Sequence, residues 1–370
     1  MNIPLRSIHH DGASRYVKTS QHAGLRIGDE VTLRLRTGLE PGIQRVFVRL
    51  CPDGEQAFIE MRPDDPQPAA TRSVCKWWRA TLRLGMPLTA YRFLLLMDDG
   101  AWWYNADGLF RHIPTDATDF RLLAEYEPPQ WVRGSVFYQI FPDRFADGDP
   151  DSNVRAGEFD YYGQPSISPN WGQPQSQWPQ AMVEFYGGDL PGVESKLDYL
   201  TDLGVNAIYL NPIFSAYSNH RYDVVDYYNV DPHLGGNLAL QSLRRATTER
   251  DMRFILDIVP NHCGVMHPWF QAALKDPQAS SAEYFTFRAH PDDYECWLGV
   301  KSLPKLNYRS AKLREAIYAG PQAVFRHWLK PPYQVDGWRV DVANMLARHG
   351  ADQLENEVWN GIRQAVKAEN

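Results

Sequence analysis

Short runs of alternating apolar and polar residues fill the first third of the chain. They lie at residues 30–36, 45–50, 57–61, 77–82 and 91–96, separated by turn-forming residues. Because side chains two positions apart share one face of a β-strand, each run predicts a strand with one buried face. Asp99-Gly100 predicts a hairpin between Met97 and Trp102. This pattern favours an all-β sandwich over residues 1–126, with Pro128-Pro129 as the linker that follows it.

After the linker, apolar strands alternate with segments of helical periodicity. Strands are predicted at 136–140, 205–210, 254–259 and 336–344, and helices at 193–203, 238–250, 312–329 and 354–368. Weak periodicity over 263–310 predicts an inserted loop subdomain after the third strand. A repeated strand–helix order indicates a parallel sheet with right-handed crossovers. Residues 127–370 are therefore predicted to form the first half, four β/α units, of a (β/α)8 barrel, a fold whose strand ends carry the active site.

The fourth predicted strand carries an unusual pair of charges. Arg339 and Asp341 fall on one face, whereas Trp338, Val340 and Val342 fall on the other. An edge strand with a solvated charged face would explain the alternation alone. The functional hypothesis is a carboxylate nucleophile kept ionised by a guanidinium, because a nearby opposite charge favours the charged form.

The third predicted strand has a similar design, which favours the functional hypothesis. Asp257 shares a face with Ile255 and Val259, and Asn261 and His262 follow the proline that ends the strand. A single histidine is more often structural than catalytic. A histidine that follows an aspartate and an asparagine at a strand end is a better candidate, since strand ends carry the chemistry in this fold. Two further polar clusters, at 219–223 and 302–307, carry no specific signal alone.

Composition and charge exclude several classes of protein. The net charge is −7 and the pI is near 5.9, which argues against a surface that binds nucleic-acid phosphates. Residues 1–6 open no apolar signal segment, and no apolar run approaches the roughly 18 residues that a membrane span needs. Four cysteines without metal-ligand spacing predict reduced thiols in a cytoplasmic protein. We expect no nucleic-acid partner, no membrane partner and no organic cofactor.

Taken together, the motifs resemble those of the α-amylase superfamily of retaining glycoside hydrolases. The resemblance is carried by residues 257–262 (DIVPNH), 303–306 (LPKL) and 337–341 (GWRVD). Residues 138–145 and 186–190 are similar to the neopullulanase, cyclomaltodextrinase and maltodextrin glucosidase branch, whose N-terminal β-sandwich is similar to a starch-binding module. Residues 302–306, 327–330 and 336–339 most resemble the maltodextrin glucosidases. The resemblance covers nearly the whole chain and implies cleavage of α-1,4 links in maltodextrins from one end, with release of glucose.

The resemblance implies a role for each matching residue. Asp341 would be the nucleophile and Arg339 its partner. The residues implied at the sugar of subsite −1 are His262 as a hydrogen-bonding residue, Tyr222 as a stacking platform, His220 close by, and Asp257 and Asn261 as supports of the strand end.

The resemblance also implies a calcium site in the loop at residues 147–153. Calcium takes six to eight oxygen ligands, and main-chain carbonyls serve as well as carboxylates. An ordinary polar turn is the alternative interpretation. The implied ligands are Asp147, Asp149, Asn153, Gly187 and Asp189.

One part of the mechanism has no match in these residues. Retaining hydrolysis needs two carboxyl groups roughly 5–5.5 Å apart, and the resemblance places the second, a glutamate, on a fifth strand. No fifth strand follows the predicted helix 354–368. We therefore expect these residues to be the N-terminal part of a longer enzyme, and we expect them not to hydrolyse substrate by themselves. The resemblance also implies a homodimer formed through the N-terminal domain. Cyclomaltodextrinase or neopullulanase activity remains an alternative, as does a non-catalytic α-glucan-binding protein.

Overall fold

The computed structural model describes residues 7–19, 24–38, 42–64 and 75–369. Residues 1–6, on which the expectation of no signal segment rests, lie outside the described residues. The chain divides into two compact units, Met1–Arg133 and Gly134–Asn370. The sequence pattern placed this boundary at residue 126.

The described residues of the first unit form nine strands and short 3-10 helices. The strands are β1 (Val17–Thr19), β2 (Glu30–Gly38), β3 (Ile43–Leu50), β4 (Ala57–Pro63), β5 (Cys75–Arg83), β6 (Leu88–Met97), β7 (Gly100–Asn105), β8 (Gly108–Phe110) and β9 (Phe120–Leu123). They pair antiparallel in the order β1-β2-β5-β4-β3-β6-β7-β8, with β9 paired to β6.

Alternating side chains from most of these strands bury into one shared core. Val31, Leu33 and Leu35 of β2 are fully buried, as are Val46 and Val48 of β3. They belong to a single apolar cluster. Strand β4 pairs with β3 and, through Arg62 and Pro63, with β5, so one hydrogen-bonded path connects the strands around this core, and the two-sheet sandwich stays a prediction. A sandwich of two sheets would bury these side chains in a shared core in the same way.

The hairpin between β6 and β7 forms, but its turn is shifted by one residue. Met97 pairs with Gly100, so the turn residues are Asp98 and Asp99. Gly100 has φ of +118°, a conformation that glycine adopts at little cost because it lacks a Cβ atom. The glycine therefore begins β7 and does not form the turn.

The second unit alternates strands and helices. Its strands are β10 (Phe137–Ile140), β11 (Asp160–Tyr161), β12 (Gln164–Pro165), β13 (Ala207–Leu210), β14 (Phe214–Ser215), β15 (Asp226–Val230), β16 (Arg253–Ile258), β17 (Phe287–Ala289), β18 (Asp293–Tyr294), β19 (Gly337–Val340), β20 (Arg348–His349) and β21 (Asp352–Gln353). Its helices are α1 (Leu190–Ser195), α2 (Leu197–Asp202), α3 (Gly236–Glu249), α4 (Pro268–Lys275), α5 (Ala311–Arg314), α6 (Val324–His327) and α7 (Glu355–Lys367). No helix in the described part of the chain combines the length and the apolar character needed to cross a membrane.

Four of these strands form the predicted parallel sheet, in the order β10-β13-β16-β19. One face of the sheet is apolar, because Ile208, Leu210, Leu256 and Ile258 are buried against the unit's main core. The opposite face carries polar side chains next to Ile255, namely Gln139, Tyr209, Asp257 and Arg339. This burial of one face orients the polar side chains of neighbouring strands in the same direction.

The predicted helix over 312–329 is interrupted. Helix α5 continues as a π-helical turn over Glu315–Ala319, and α6 begins only at Val324. Gly320 precedes Pro321 and has φ −70° and ψ +158°. The ring of a proline disfavours helical geometry at the preceding residue, which accounts for the break.

The insertion over 263–310 returns to the point where it leaves the sheet. The Leu306 N–H donates to the Asn261 carbonyl oxygen at 3.0 Å, and the Cys263 N–H donates to that of Pro304 at 3.2 Å. The insertion contains α4 and the β17–β18 ribbon. These main-chain bonds hold Asn261 and His262 at the base of the insertion.

Candidate active site

The candidate active site forms where β16 and β19 end side by side. Asp257 and Arg339 are direct partners in the parallel ladder, and the Asp341 N–H extends the ladder by donating to the Ile258 carbonyl oxygen at 2.9 Å. Arg339 Nη1 lies 2.7 Å from Asp341 Oδ1 and 3.0 Å from Asp257 Oδ2. One guanidinium nitrogen therefore donates to both carboxylates, and Arg339 and Asp341 share a face as the alternation predicted.

Strand β19 is shorter than predicted and ends at Val340. Val342 has φ +48° and ψ +37°, so it does not continue the apolar face of the strand. A left-handed conformation is strained for a β-branched residue, and such residues cluster at functional sites. The turn begins immediately after Asp341 and leaves that carboxylate at the strand end, with 15% of its side chain exposed.

Asp257 is the centre of a buried hydrogen-bond network. Its carboxylate accepts hydrogen bonds from the Tyr209 hydroxyl, from the Tyr222 hydroxyl at 3.0 Å, and from Arg339. Burial raises the pKa of Asp257 to about 6, and the hydrogen bonds from Tyr209 and Arg339 act against that rise. Partial burial acts to lower the pKa of the Arg339 guanidinium. The opposite effect of the Asp257 carboxylate is larger, so the pKa of Arg339 is raised. Asp257 thus holds Arg339, and Arg339 contacts Asp341.

The network continues across the other two parallel strands. Asn211, which follows β13, donates from Nδ2 to the Tyr222 hydroxyl oxygen at 3.2 Å. Gln139 of β10 donates from Nε2 to Asn211 Oδ1 at 2.9 Å. Sequence reasoning missed Gln139, Tyr209 and Asn211. The available signal was that each occupies the polar face of a short strand, or the position just after it, beside the strand that carries Asp257.

The loop after β14 places His220 next to Tyr222. The Tyr222 N–H donates to His220 Nδ1 at 3.1 Å, so the neutral imidazole carries its proton on Nε2. Burial lowers the pKa of His220. The loop is anchored by Arg221, which forms a buried ion pair with Asp231 at 3.0 Å. The ring centroids of His220 and Tyr222 are 5.8 Å apart.

His262 lies at the base of the insertion and stacks on Trp297, with ring centroids 5.5 Å apart. The Asn261 side-chain amide lies 3.1 Å from His262 Nδ1. Nε2 is buried and has no hydrogen-bond partner of normal geometry among the described residues. Burial lowers the pKa of His262 to about 4, against the opposing effects of Asp223 and the Tyr222 main chain. The ring is therefore neutral near pH 7.

The predicted calcium loop lies at the N-terminus of α1. Asp189 is the N-cap of that helix, and its oxygens accept main-chain hydrogen bonds from Gly192 at 2.6 Å, Asp149 at 2.7 Å and Gly148 at 2.9 Å. The Asp189 carboxylate therefore ties the loop to the helix.

The remaining implied ligands form a smaller cluster. Asn153 Nδ2 donates to Asp147 Oδ2 at 2.9 Å, and a Cβ atom on Gly187 would lie 2.5 Å from the Asn153 side chain. Asn153 Oδ1 is buried and has no hydrogen-bond partner among the residues that the structure describes. Within the described ranges, no group of three or more carboxylate, histidine or cysteine side chains is arranged to hold a metal. The implied set also includes an amide oxygen and a main-chain carbonyl oxygen, which are calcium ligands too, and calcium binding stays a prediction.

Comparisons with known proteins agree on one family. The family described as the α-amylase catalytic domain matches residues 139–367, more than half of the chain. A cyclomaltodextrinase from Geobacillus thermopakistaniensis is 33% identical over 306 residues, which cover 79% of this chain and 47% of that protein. An intracellular maltogenic amylase from Bacillus subtilis is 36% identical over 248 residues, which cover 66% of this chain and 37% of that protein. The chain thus spans half or less of the length of these curated relatives.

Solved structures show the same similarity. The type III pullulan hydrolase from Thermococcus kodakarensis matches with a TM-score of 0.63 at 28% identity, and the match covers 96% of this chain and 60% of that one. A cyclomaltodextrinase matches with a TM-score of 0.62 at 26% identity, over 99% of this chain and 59% of that one.

Proposed function

This chain belongs to the α-amylase family of glycoside hydrolases, and we propose that it carries the nucleophile of a retaining enzyme that cleaves α-1,4-glucosidic bonds in maltodextrins. The observation that carries the proposal is the bridge of Arg339 between Asp257 and Asp341. Asp341 Oδ1 is occupied by Arg339, whereas Oδ2 has no hydrogen-bond partner in the described part of the chain. Binding a glycan does not require a carboxylate with one oxygen held and the other free, whereas nucleophilic catalysis does.

In the proposed mechanism, Asp341 Oδ2 attacks the anomeric carbon while the glycosidic C–O bond breaks. A second carboxyl group protonates the leaving oxygen and later takes a proton from the water that hydrolyses the glycosyl–enzyme ester. Asp257 does not supply this group, because its oxygens already accept hydrogen bonds from Tyr209, Tyr222 and Arg339. The test of the mechanism is the first-formed product of the full-length protein, which proton NMR should show as the α-anomer. A β-anomer would contradict a retaining nucleophile.

The side chains around Asp341 support contacts to the sugar in subsite −1. The Tyr222 hydroxyl is fixed by Asp257, so its ring has a set orientation and offers a flat apolar surface to a pyranose. His262, which the family resemblance implies as a hydrogen-bonding residue for the sugar, is held beside the Tyr222 main chain. His220 has its proton on Nε2, since Nδ1 accepts from the Tyr222 main chain. Asn261 orients His262.

Replacing the sugar-contacting residues should separate binding from turnover. Tyr222→Ala should weaken maltotriose binding by about 1–3 kcal/mol, because the stacking surface is lost. Tyr222→Phe retains the ring and serves as the matched control for binding only, because it also removes a hydrogen-bond donor to Asp257.

His262→Ala should lower kcat more than it raises KM, because a hydrogen bond to the reacting sugar acts mainly in the transition state. Calorimetry and steady-state kinetics on the full-length protein measure both effects, and wild-type values for both alanine variants would show that the site is misplaced.

For specificity, we propose a maltodextrin glucosidase activity, because residues 302–306 and 327–330 resemble the corresponding motifs of the maltodextrin glucosidases. The full-length protein should then release glucose from maltotriose and longer maltodextrins and act poorly on pullulan. Cyclomaltodextrinase activity is the second candidate, favoured by the names of the relatives. Chromatography of the products from maltotriose, pullulan and β-cyclodextrin decides between them. Faster opening of the cyclodextrin than of linear maltodextrins, or panose from pullulan, would favour the second candidate.

Two further features belong to the proposal. A homodimer through the N-terminal unit rests on the family resemblance alone. A cytoplasmic location is supported by the Bacillus subtilis relative, which is described as intracellular.

A further inference from the structure

The Tyr209 hydroxyl contacts Asp257 and the Tyr222 hydroxyl, and it has no contact with Asp341 in the described part of the chain. Tyr209 lies on β13 with Gln139 and Ile255 as its ladder partners, and its hydroxyl donates to Asp257 Oδ2. Burial and the adjacent Asp257 carboxylate raise the pKa of Tyr209, so the hydroxyl stays a donor. The Asp257 side chain is fully buried. Because it has no solvent-accessible surface, each protein donor has a large share in fixing its orientation.

The orientation of Asp257 controls Arg339. Arg339 Nη1 lies 3.0 and 3.2 Å from the two Asp257 oxygens and 2.7 Å from Asp341 Oδ1. Because a single nitrogen serves both carboxylates, a rotation of the Asp257 carboxylate changes the position of the donor that holds Asp341. Two tyrosine hydroxyls set that rotation. Tyr222 is also assigned to the sugar, whereas Tyr209 has no assigned contact with the substrate.

We propose that Tyr209 is a positioning residue for the nucleophile, acting through Asp257 and Arg339 on Asp341. The inference rests on the proposed role of Asp341 and goes beyond it, because it names a residue that controls the nucleophile from a neighbouring strand.

The test uses α-maltosyl fluoride as the substrate of the full-length protein. In the first step the C1–F bond breaks, a bond forms between C1 and Asp341, and fluoride departs without needing a proton. Water then hydrolyses the ester. The rate of fluoride release therefore reports on the nucleophile and does not depend on protonation of a leaving group.

Tyr209→Phe removes only the hydroxyl. We expect kcat/KM for the fluoride to fall roughly tenfold, the effect of losing one hydrogen bond to a charged group, with KM almost unchanged. The acid limb of the pH profile should move to higher pH. Asp257 faces Tyr209, Tyr222 and Arg339, and losing one donor raises its pKa above the value of about 6. Since Asp257 must be ionised to hold Arg339, activity is lost earlier as the pH falls.

Two comparisons separate positioning from general destabilisation. Tyr308→Phe removes another buried hydroxyl, which donates to the Pro260 carbonyl oxygen at 2.7 Å, and it should leave the pH profile unchanged. In an Asp257→Asn background, Tyr209→Phe should have little further effect on kcat/KM, because the acceptor charge is already gone. Wild-type kinetics and an unshifted pH profile for Tyr209→Phe would overturn the inference. A wild-type protein inactive on both α-maltosyl fluoride and maltotriose would overturn the proposed function, and the inference with it.

Discussion

Replacing Asp341 with asparagine should remove nearly all hydrolysis by the full-length protein while maltotriose still binds. The neutral carboxamide keeps an oxygen for the hydrogen bond from Arg339, so the local geometry should persist. It cannot form the glycosyl ester on which the retaining mechanism depends. We expect kcat to fall by about 10⁴-fold or more, the order of magnitude seen when other covalent mechanisms lose their nucleophile. Initial rates with maltotriose, together with calorimetric binding, measure the effect.

Asp226→Asn is the matched control for this substitution. Asp226 accepts hydrogen bonds from the Tyr228 main chain and from Asn229, both at 2.8 Å, and it has no assigned role at the site. Its variant should retain wild-type turnover. Substantial turnover by Asp341→Asn, in protein verified to be free of deamidation, would remove Asp341 from the role of nucleophile.

Arg339→Gln should destabilise the protein as well as inactivate it. The substitution leaves the fully buried Asp257 carboxylate without a cation. Breaking a buried ion pair costs about 3–5 kcal/mol, but 41% of the Arg339 side chain is exposed, so we expect about 2–3 kcal/mol. The pKa of Asp257 in the fold already exceeds its usual value, and losing Arg339 raises it further. The stability deficit should therefore be small at pH 5, where Asp257 can take up a proton, and should grow as the pH rises.

Denaturant unfolding at pH 5 and pH 8 measures this deficit. The double variant Arg339→Gln/Asp257→Asn pairs two neutral amides and should recover most of the stability at pH 8 without recovering activity. Equal stability of wild type and Arg339→Gln at pH 8 would contradict the role given to the Arg339–Asp257 pair. Recovery of hydrolysis by the double variant would contradict the need for a guanidinium beside Asp341.

Local patterns along the chain were enough to predict the parallel sheet and most of the residues at its strand ends. Alternation placed Arg339 and Asp341 on one face, because side-chain direction in a strand follows from the backbone alone. The same rule failed at Val342, where the backbone leaves the strand and turns left-handed. It failed because a strand pattern does not encode where pairing with the neighbouring strand stops.

The partners of each polar group were decided by contacts between distant segments. Tyr209 lies 48 positions before Asp257, and only the register of β13 against β16 brings its hydroxyl to that carboxylate. Asp189 is predicted as a metal ligand from the sequence, and only the folded loop shows the three main-chain N–H groups directed at its oxygens. The types and faces of the site residues thus follow from local periodicity, whereas their hydrogen bonds and pKa values follow from register and burial. The physical reason is that a hydrogen bond depends on distances between segments, and a buried charge depends on everything packed around it; a linear pattern contains neither.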